Sequence, residues 1–116
     1  MAADYIDNWI VQARKGLLDY CVVSALAEKE CYGYELVRSL VEIPGLGVTE
    51  GTVYPLLSRL RLQGLVNTRL EESKEGPARK YYALTAEGRA ALRMMQSYMD
   101  MLNEGARMLR QKGGKK

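Results

Sequence analysis

The sequence predicts a mostly α-helical fold with one small β-hairpin, in a chain of 116 residues. Three observations predict it. Apolar residues recur with helical spacing through most of the chain. The spacing changes to short strand-like runs only between residues 65 and 84, around a turn-forming cluster. The last helical segment then continues to about residue 111 with an unusually wide apolar surface. The length is that of one domain.

Three helices are expected before the middle of the chain. The first covers residues 5–13 and carries Trp9 on an apolar stripe. The second covers residues 16–28, and its buried face includes Cys21, which packs as a small hydrophobe. The Tyr-Gly pair at 32–33 ends it, and the third helix follows at residues 34–42.

The fourth helix is expected at residues 52–63, after a connector that contains one proline and two glycines. Thr49 and Thr52 both suit the cap of this helix. Pro55 favours Thr52, because the proline then lies in the first turn, where no backbone donor is missed. The leucines of this helix form a core stripe, and Gly64 ends it.

Two strand-like runs, residues 65–72 and 79–84, flank a turn-forming cluster at 73–77 and predict a hairpin with a polar tip. Thr85 then caps the final helix, with Glu87 in its first turn, where an acidic side chain complements the helix dipole.

A helix-turn-helix pair followed at once by a hairpin is the arrangement of a winged helix-turn-helix domain, in which the hairpin is the wing. The expected organisation is a winged-helix domain at residues 1–85 that includes the N-terminal helix. A long dimerisation helix covers residues 86–111, and residues 112–116 form a disordered tail.

The second helix of a helix-turn-helix pair lies in the major groove of DNA. With its leucines facing the core, the fourth helix directs hydroxyl and guanidinium groups outward, and such groups can contact bases and phosphates. The predicted DNA-contacting residues are Thr52, Tyr54, Pro55, Ser58 and Arg59 on this helix and Lys74, Arg79 and Lys80 on the wing. Leu62 also faces outward, and its position alone indicates no role.

The final helix carries two adjoining apolar stripes with alternating steps of three and four residues, as in a coiled-coil seam. One stripe can pack on the chain's own core and the other on a second chain; the alternative is one broad stripe packed within the monomer. The predicted dimer interface consists of Trp9, Leu92, Met95, Met99, Leu102, Ala106 and Leu109.

The second stripe includes Tyr98 and Met101, and the helix holds five methionines, which make an adaptable surface. Together with Tyr5 and Trp9, these two side chains are candidates to line a pocket for a flat or apolar ligand. A plain methionine-rich dimer core is the alternative.

Composition excludes several function classes. The chain contains no histidine and only two cysteines, so it lacks the commonest general base, a disulfide framework and an ordinary zinc site. No enzyme activity, metal or cofactor is therefore expected. No apolar run approaches the roughly 20 residues of a membrane helix, and Asp4 stands where a secretory signal would be basic. The expected location is the cytoplasm, without a membrane partner.

Four segments resemble the PadR family of bacterial transcriptional regulators, in the same order and spacing: YGYEL at 32–36, GTVYPLLSRL at 51–60, GLV at 64–66 and RKYYALTAEGR at 79–89. The resemblance spans about residues 15–92. The single C-terminal helix is similar to that of the small subclass, in which the N-terminal and C-terminal helices form the dimer.

The resemblance implies a repressor that binds an inverted-repeat operator in duplex DNA and is released by a small hydrophobic or aromatic effector. It adds Tyr34 as a candidate for phosphate contact. In small members with a drug-binding pore, a tryptophan of the C-terminal helix stacks on the ligand, whereas the only tryptophan here is Trp9.

Two alternatives from other classes stay open at this point. One is a winged-helix protein-interaction module without affinity for DNA. The other is a stand-alone ligand-binding or redox-sensing protein, in which Cys31 or the methionine-lined region would respond.

Overall fold

A computed structural model describes residues 1–114, which form four helices and a three-stranded antiparallel sheet. The winged helix-turn-helix arrangement predicted from the sequence is confirmed. In chain order the elements are α1 (Ala2–Ala25), β1 (Cys31–Tyr32), α2 (Gly33–Val41), α3 (Glu50–Leu62), β2 (Val66–Glu71), β3 (Arg79–Leu84) and α4 (Ala86–Gly114).

The N-terminal region is one helix, α1, and the prediction of two helices at 5–13 and 16–28 was wrong. Gly16, taken as the start of the second helix, lies within α1 on its exposed side. A glycine inside a helix costs only about 1 kcal/mol relative to alanine. That cost does not end a helix whose later turns bury Val22 and Val23 in the core.

Residues 31–32 form a strand that was not predicted from the sequence. In this strand, β1, Cys31 is paired with Tyr82 and Tyr32 with Tyr81, so β3 lies in the centre of the sheet. Two residues are too few for a period-of-two pattern, and only the pairing with β3 makes them a strand.

Helix α3 begins earlier than predicted. Thr49 is extended and forms the N-cap, and its carbonyl accepts hydrogen bonds from the backbone N–H groups of Thr52 and Val53. Thr52 is therefore inside the helix, and its assignment as the cap was wrong. Pro55 lies in the second turn on the exposed side, where its missing N–H costs one helical hydrogen bond but no buried contact.

A compact joint connects α3, the sheet and α4. Gly64, with φ of 80°, follows the end of α3 in the left-handed conformation that suits glycine. The hydroxyl of Thr85 donates to the Gly64 carbonyl (2.7 Å) and accepts from the N–H of Gly88 (3.0 Å). The predicted cap at Thr85 is therefore confirmed, and it fixes where α4 leaves the sheet.

A single core fills the space between the helices and the sheet. Its most deeply buried side chains come from α1 and the residue that follows it, from α2 and α3, and from the first residue of β2, and the core includes Leu92 in α4. Beyond Met95, α4 projects away from the core and continues to Gly114. Residues 112–114 are thus helical rather than disordered, and the expected tail at 115–116 lies outside the described residues.

Candidate nucleic-acid interface

The side of α3 opposite the core is open to solvent. Val53, Leu56, Leu57 and Leu60 are buried, and this places the other side chains of the helix outward. All five residues predicted to contact DNA from this helix are exposed: Thr52, Tyr54, Pro55, Ser58 and Arg59. Leu62 lies among them and is 81% exposed. The structure thus brings the five together on one face.

Arg59 is engaged by a carboxylate from another helix. Its Nη2 donates to Oδ1 of Asp19 on α1 over 2.7 Å. The arginine side chain is 58% exposed and the aspartate 29% exposed. The guanidinium therefore lies at the edge of the outward face and points toward α1, a partner that sequence spacing did not reveal.

Tyr54 packs against the start of α2. A Cβ added at Gly33 would lie 3.1 Å from Cε1 of Tyr82 and 3.5 Å from the ring of Tyr54, so this glycine makes room for both rings. Burial raises the pKa of Tyr54, and the nearby carboxylate of Glu50 adds to the effect. The hydroxyl of Tyr54 is therefore a neutral hydrogen-bond donor at neutral pH.

The wing consists of β2, β3 and the loop at residues 72–78, and it carries the three predicted cations. Lys74 lies in the loop, and Lys80 is paired with Leu70 across the hairpin. Arg79 is at the start of β3 with its guanidinium 5.0 Å from the centre of the Tyr32 ring. All three cations are exposed, but the stacking restrains Arg79.

The outer face of the sheet holds a further arginine, which was not among the predicted site residues. Arg69 donates from Nε and Nη2 to the carboxylate of Glu30, and it lies 4.6 Å from the centre of the Tyr81 ring. This hydrogen bond lowers the pKa of Glu30. The pair ties β2 to the segment between α1 and β1, and no spacing rule links residues 30 and 69.

Tyr34, predicted as a phosphate contact, is half exposed at the start of α2. Its ring lies 5.9 Å from the guanidinium of Arg38, one turn later, and its hydroxyl accepts a 3.5 Å hydrogen bond from Nη1 of that arginine. Arg38 was not predicted, although the i, i+4 spacing could have indicated it. The two side chains extend the polar surface beyond the wing.

A groove of about 930 Å³ runs between α1 and α4. Of the four candidate ligand-binding residues, Trp9 and Tyr98 line this groove, together with Tyr20 and Met99. Tyr5 is not part of its lining. Met101 borders two smaller depressions next to Tyr98 instead.

The predicted interface residues are divided between core and surface. Leu92 is buried in the chain's own core, with Met95 packed beside it. Met99 and Ala106 are partly exposed, whereas Trp9, Leu102 and Leu109 are largely exposed. The predicted interface stripe of α4 is therefore buried in the chain's own core at its start and exposed to solvent toward its end.

Two further observations concern metal ligands and membrane spans. Within residues 1–114, no three His, Cys, Asp or Glu side chains are placed to hold a metal ion. None of the helices in that part of the chain is long and apolar enough to cross a membrane.

Comparison with known proteins identifies the family. The sequence model of the transcriptional regulator PadR-like family matches residues 22–94, which include α2, α3, the wing and the start of α4. The chain belongs to this family. Its matched relatives are transcriptional regulators rather than enzymes, and as a family member the chain is a DNA-binding transcriptional regulator.

Solved structures of PadR-like proteins are similar along nearly the whole chain. A PadR family regulator from Eggerthella lenta is 34% identical, with 93% of this chain and 94% of that one covered and a TM-score of 0.79. A PadR-like transcription factor from Bacteroides fragilis is 38% identical, with coverage of 88% and 98% and a TM-score of 0.74. A PadR-like regulator from Bacillus cereus is 35% identical, with coverage of 84% and 95% and a TM-score of 0.75.

Proposed function

We propose that this PadR-like chain is a homodimeric repressor of the cytoplasm, which binds an inverted-repeat operator and is released by a small hydrophobic or aromatic effector. In this proposal α3 enters the major groove and the wing contacts the neighbouring backbone. The DNA-binding part of the proposal rests on one observation, the exposed face of α3 next to a wing with three cations.

The chemistry of that face suits duplex DNA. Thr52 and Ser58 offer hydroxyl groups that can bond to bases or phosphates, and Tyr54 offers a protonated phenol. Pro55 and Leu62 add apolar surface of the kind that contacts thymine methyl groups. Lys74 and Lys80 supply mobile positive charges for the phosphate backbone, whose neutralisation provides most of the non-specific affinity.

The dimer is supported by apolar side chains that this chain leaves uncovered. On the first half of α1 and on α4 from residue 98 onward, ten large apolar residues are 36–71% exposed: Tyr5, Ile6, Trp9, Ile10, Val11, Tyr98, Met101, Leu102, Met108 and Leu109. An exposed apolar surface of this extent is typical of a protein interface. A two-fold dimer would also present two α3 helices to successive major grooves, about 34 Å apart.

The groove between α1 and α4 supports the effector part of the proposal. Its walls are mostly apolar, and Trp9, Tyr20 and Tyr98 give it three aromatic side chains, which favour flat or apolar ligands. Because the groove adjoins the proposed dimer surface, a ligand there would act on the relative position of the two chains.

The DNA-binding part is tested by selecting bound sequences from randomised duplexes and measuring affinity at two salt concentrations. We expect enrichment of an inverted repeat and a steep loss of affinity at the higher salt. A protein-interaction module would enrich no sequence and bind weakly even at low salt.

Two further measurements test the other parts. Sedimentation equilibrium should give twice the monomer mass of 13.1 kDa, and a monomer at micromolar concentration would contradict the dimer. Titration with a panel of aromatic compounds should change the fluorescence of Trp9 and lower the affinity for the selected duplex. An unchanged signal across the panel would contradict the proposed effector site.

A further inference from the structure

We infer that Asp19 withholds Arg59 from DNA, so that this carboxylate sets both the affinity of α3 for a duplex and the number of phosphates that the helix contacts. The inference rests on the proposed binding of DNA by α3. It concerns the ion pair between α1 and α3, in which Nη2 of Arg59 donates to Oδ1 of Asp19 over 2.7 Å.

The position of Arg59 makes it the natural phosphate ligand of this face. It is the arginine on the flank of α3 nearest α1, one turn after Pro55, and more than half of its side chain is exposed. A guanidinium has five N–H donors in a planar fork that matches a phosphate. In the DNA-free chain, a carboxylate of opposite charge occupies part of that fork.

A second ion pair, between Arg69 and Glu30, is held by more contacts than the pair between Arg59 and Asp19. Arg69 reaches Glu30 through two nitrogens, lies over the ring of Tyr81 and is also within 3.7 Å of Glu71. Within residues 1–114, the guanidinium of Arg59 makes one hydrogen bond, through one nitrogen, and no aromatic contact. Arg69 is held from several sides, whereas Arg59 can leave Asp19 by breaking a single contact.

The energetics allow this exchange. A solvent-exposed ion pair contributes about 0–1 kcal/mol, whereas a phosphate neutralised by an arginine releases condensed counterions and adds to affinity. DNA and Asp19 therefore compete for Arg59, and while the ion pair holds, the helix neutralises one phosphate fewer. Asp19 thus lowers affinity without preventing binding, and it acts on every sequence, since a phosphate contact carries no sequence information.

The test is a double-mutant cycle on the full chain, with Asp19→Asn, Arg59→Gln and the double variant, measured against the selected duplex over a range of salt. We expect Asp19→Asn to bind about twofold to fivefold more tightly at low salt. The slope of log affinity against log salt should become steeper by about one. In the Arg59→Gln background, the same change should have almost no effect, because its target is absent.

Two control variants separate this role from general effects. Asp7→Asn removes the same charge from an exposed part of α1 and should leave the salt slope unchanged. Asp19→Glu keeps the carboxylate and should retain the salt slope of the parent protein. It therefore separates the loss of the charge from any disturbance of α1 by a substitution at this position. Thermal unfolding of each variant checks the fold.

The inference is overturned if Asp19→Asn binds DNA as the parent does or more weakly, or if its gain persists without Arg59. In those outcomes the parent protein still binds DNA, so the proposed function stands. If the parent itself shows no salt-dependent binding to any duplex, both the proposed function and this inference are overturned.

Discussion

The winged-helix part of this chain and its projecting helices differ in how they cover their apolar residues. In residues 18–92, all four helices and the sheet contribute to one core, and Val23, Leu26 and Leu57 have no exposed surface. The helical arm, defined here as residues 2–13 and 94–113, has many apolar residues but buries none of them completely.

The difference indicates which parts of the chain are self-sufficient. The winged-helix part buries most of its large apolar residues within one chain, so its packing follows from this sequence alone. The helical arm is helical because α4 has strong amphipathic spacing and α1 continues from the core, but much of its apolar face has no neighbour in this chain. A second copy would supply that neighbour, and for this reason the dimer is proposed from the arm and not from the core.

The largest expected effect is in the core. Leu57→Ala removes a side chain with no exposed surface, and the cavity should lower the free energy of unfolding by about 2–5 kcal/mol. Leu62→Ala, on the same helix but 81% exposed, is the matched control and should change stability by less than about 0.5 kcal/mol. Chemical denaturation of both variants measures the difference, and equal losses would mean that Leu62 is covered in solution.

In the helical arm, Leu102→Glu should act on association rather than on folding. Leu102 is 52% exposed in the single chain, so a charge there leaves the core intact but would be buried in a dimer. We expect the dimer to weaken by a factor of about 30 or more, roughly 2 kcal/mol. Gln96→Glu places the same charge on the polar side of α4 and should not weaken the dimer.

Sedimentation velocity over a dilution series distinguishes the two variants. If Leu102→Glu remains a dimer at the concentrations where the parent protein does, this stripe of α4 is not the interface.

Two glycines of α4 allow a smaller test of the same comparison, because Gly88 lies in the winged-helix part and Gly105 in the helical arm. A Cβ at Gly88 would lie 2.1 Å from the carbonyl oxygen of Leu65, a backbone atom, so Gly88→Ala should destabilise the fold by about 1–3 kcal/mol. Nothing lies within 4 Å of the corresponding position at Gly105. Gly105→Ala should therefore stabilise the chain by about 0.5–1 kcal/mol.

Thermal unfolding of the two alanine variants gives the sign of each effect. If alanine at Gly105 instead destabilises the protein, a partner chain packs closely there. That result would locate the dimer contact at this position of α4.

The smallest effect is expected at the Glu30–Arg69 pair on the outer face of the sheet. The hydrogen bond from Arg69 holds the pKa of Glu30 below its ordinary value of 4.5. A lowered carboxyl pKa in the folded state stabilises the fold above the unfolded pKa, and this contribution is lost as the pH falls through the folded value. Glu30→Gln should therefore lower the melting temperature slightly at pH 7 and not at all in strong acid.

Glu28→Gln is the matched control, because Glu28 is exposed and forms no ion pair within the described residues. An equal loss at pH 7 in both variants would mean that the effect is one of net charge and not of the pair with Arg69.

Local patterns predicted most of the elements correctly. The core face of α3, both strands of the wing, the cap at Thr85 and the start of α4 follow from periodicity and capping chemistry, which act over a few residues. The errors lie where local signals were weak or misleading. Gly16 and Pro55 were given more weight than the packing around them allowed, and β1 was missed because its only evidence is the pairing with β3.

The candidate site shows the same division. The outward face of α3 could be predicted, because once its leucines are buried the remaining side chains must face solvent. The partners of its charges could not be predicted, since Asp19 and Arg59 are 40 residues apart in sequence, as remote as Glu30 and Arg69. No periodicity relates such residues until the helices and strands have packed.

The sequence by itself thus determined the helix-turn-helix and wing, the residues available to DNA and the apolar excess of α4, all of which depend on neighbours along the chain. Only the tertiary structure decided that α1 is continuous, that β1 joins the sheet, that Asp19 engages Arg59 and that Trp9 and Tyr98 line one groove. These features depend on where distant segments meet, and that is set by the packing of the whole core.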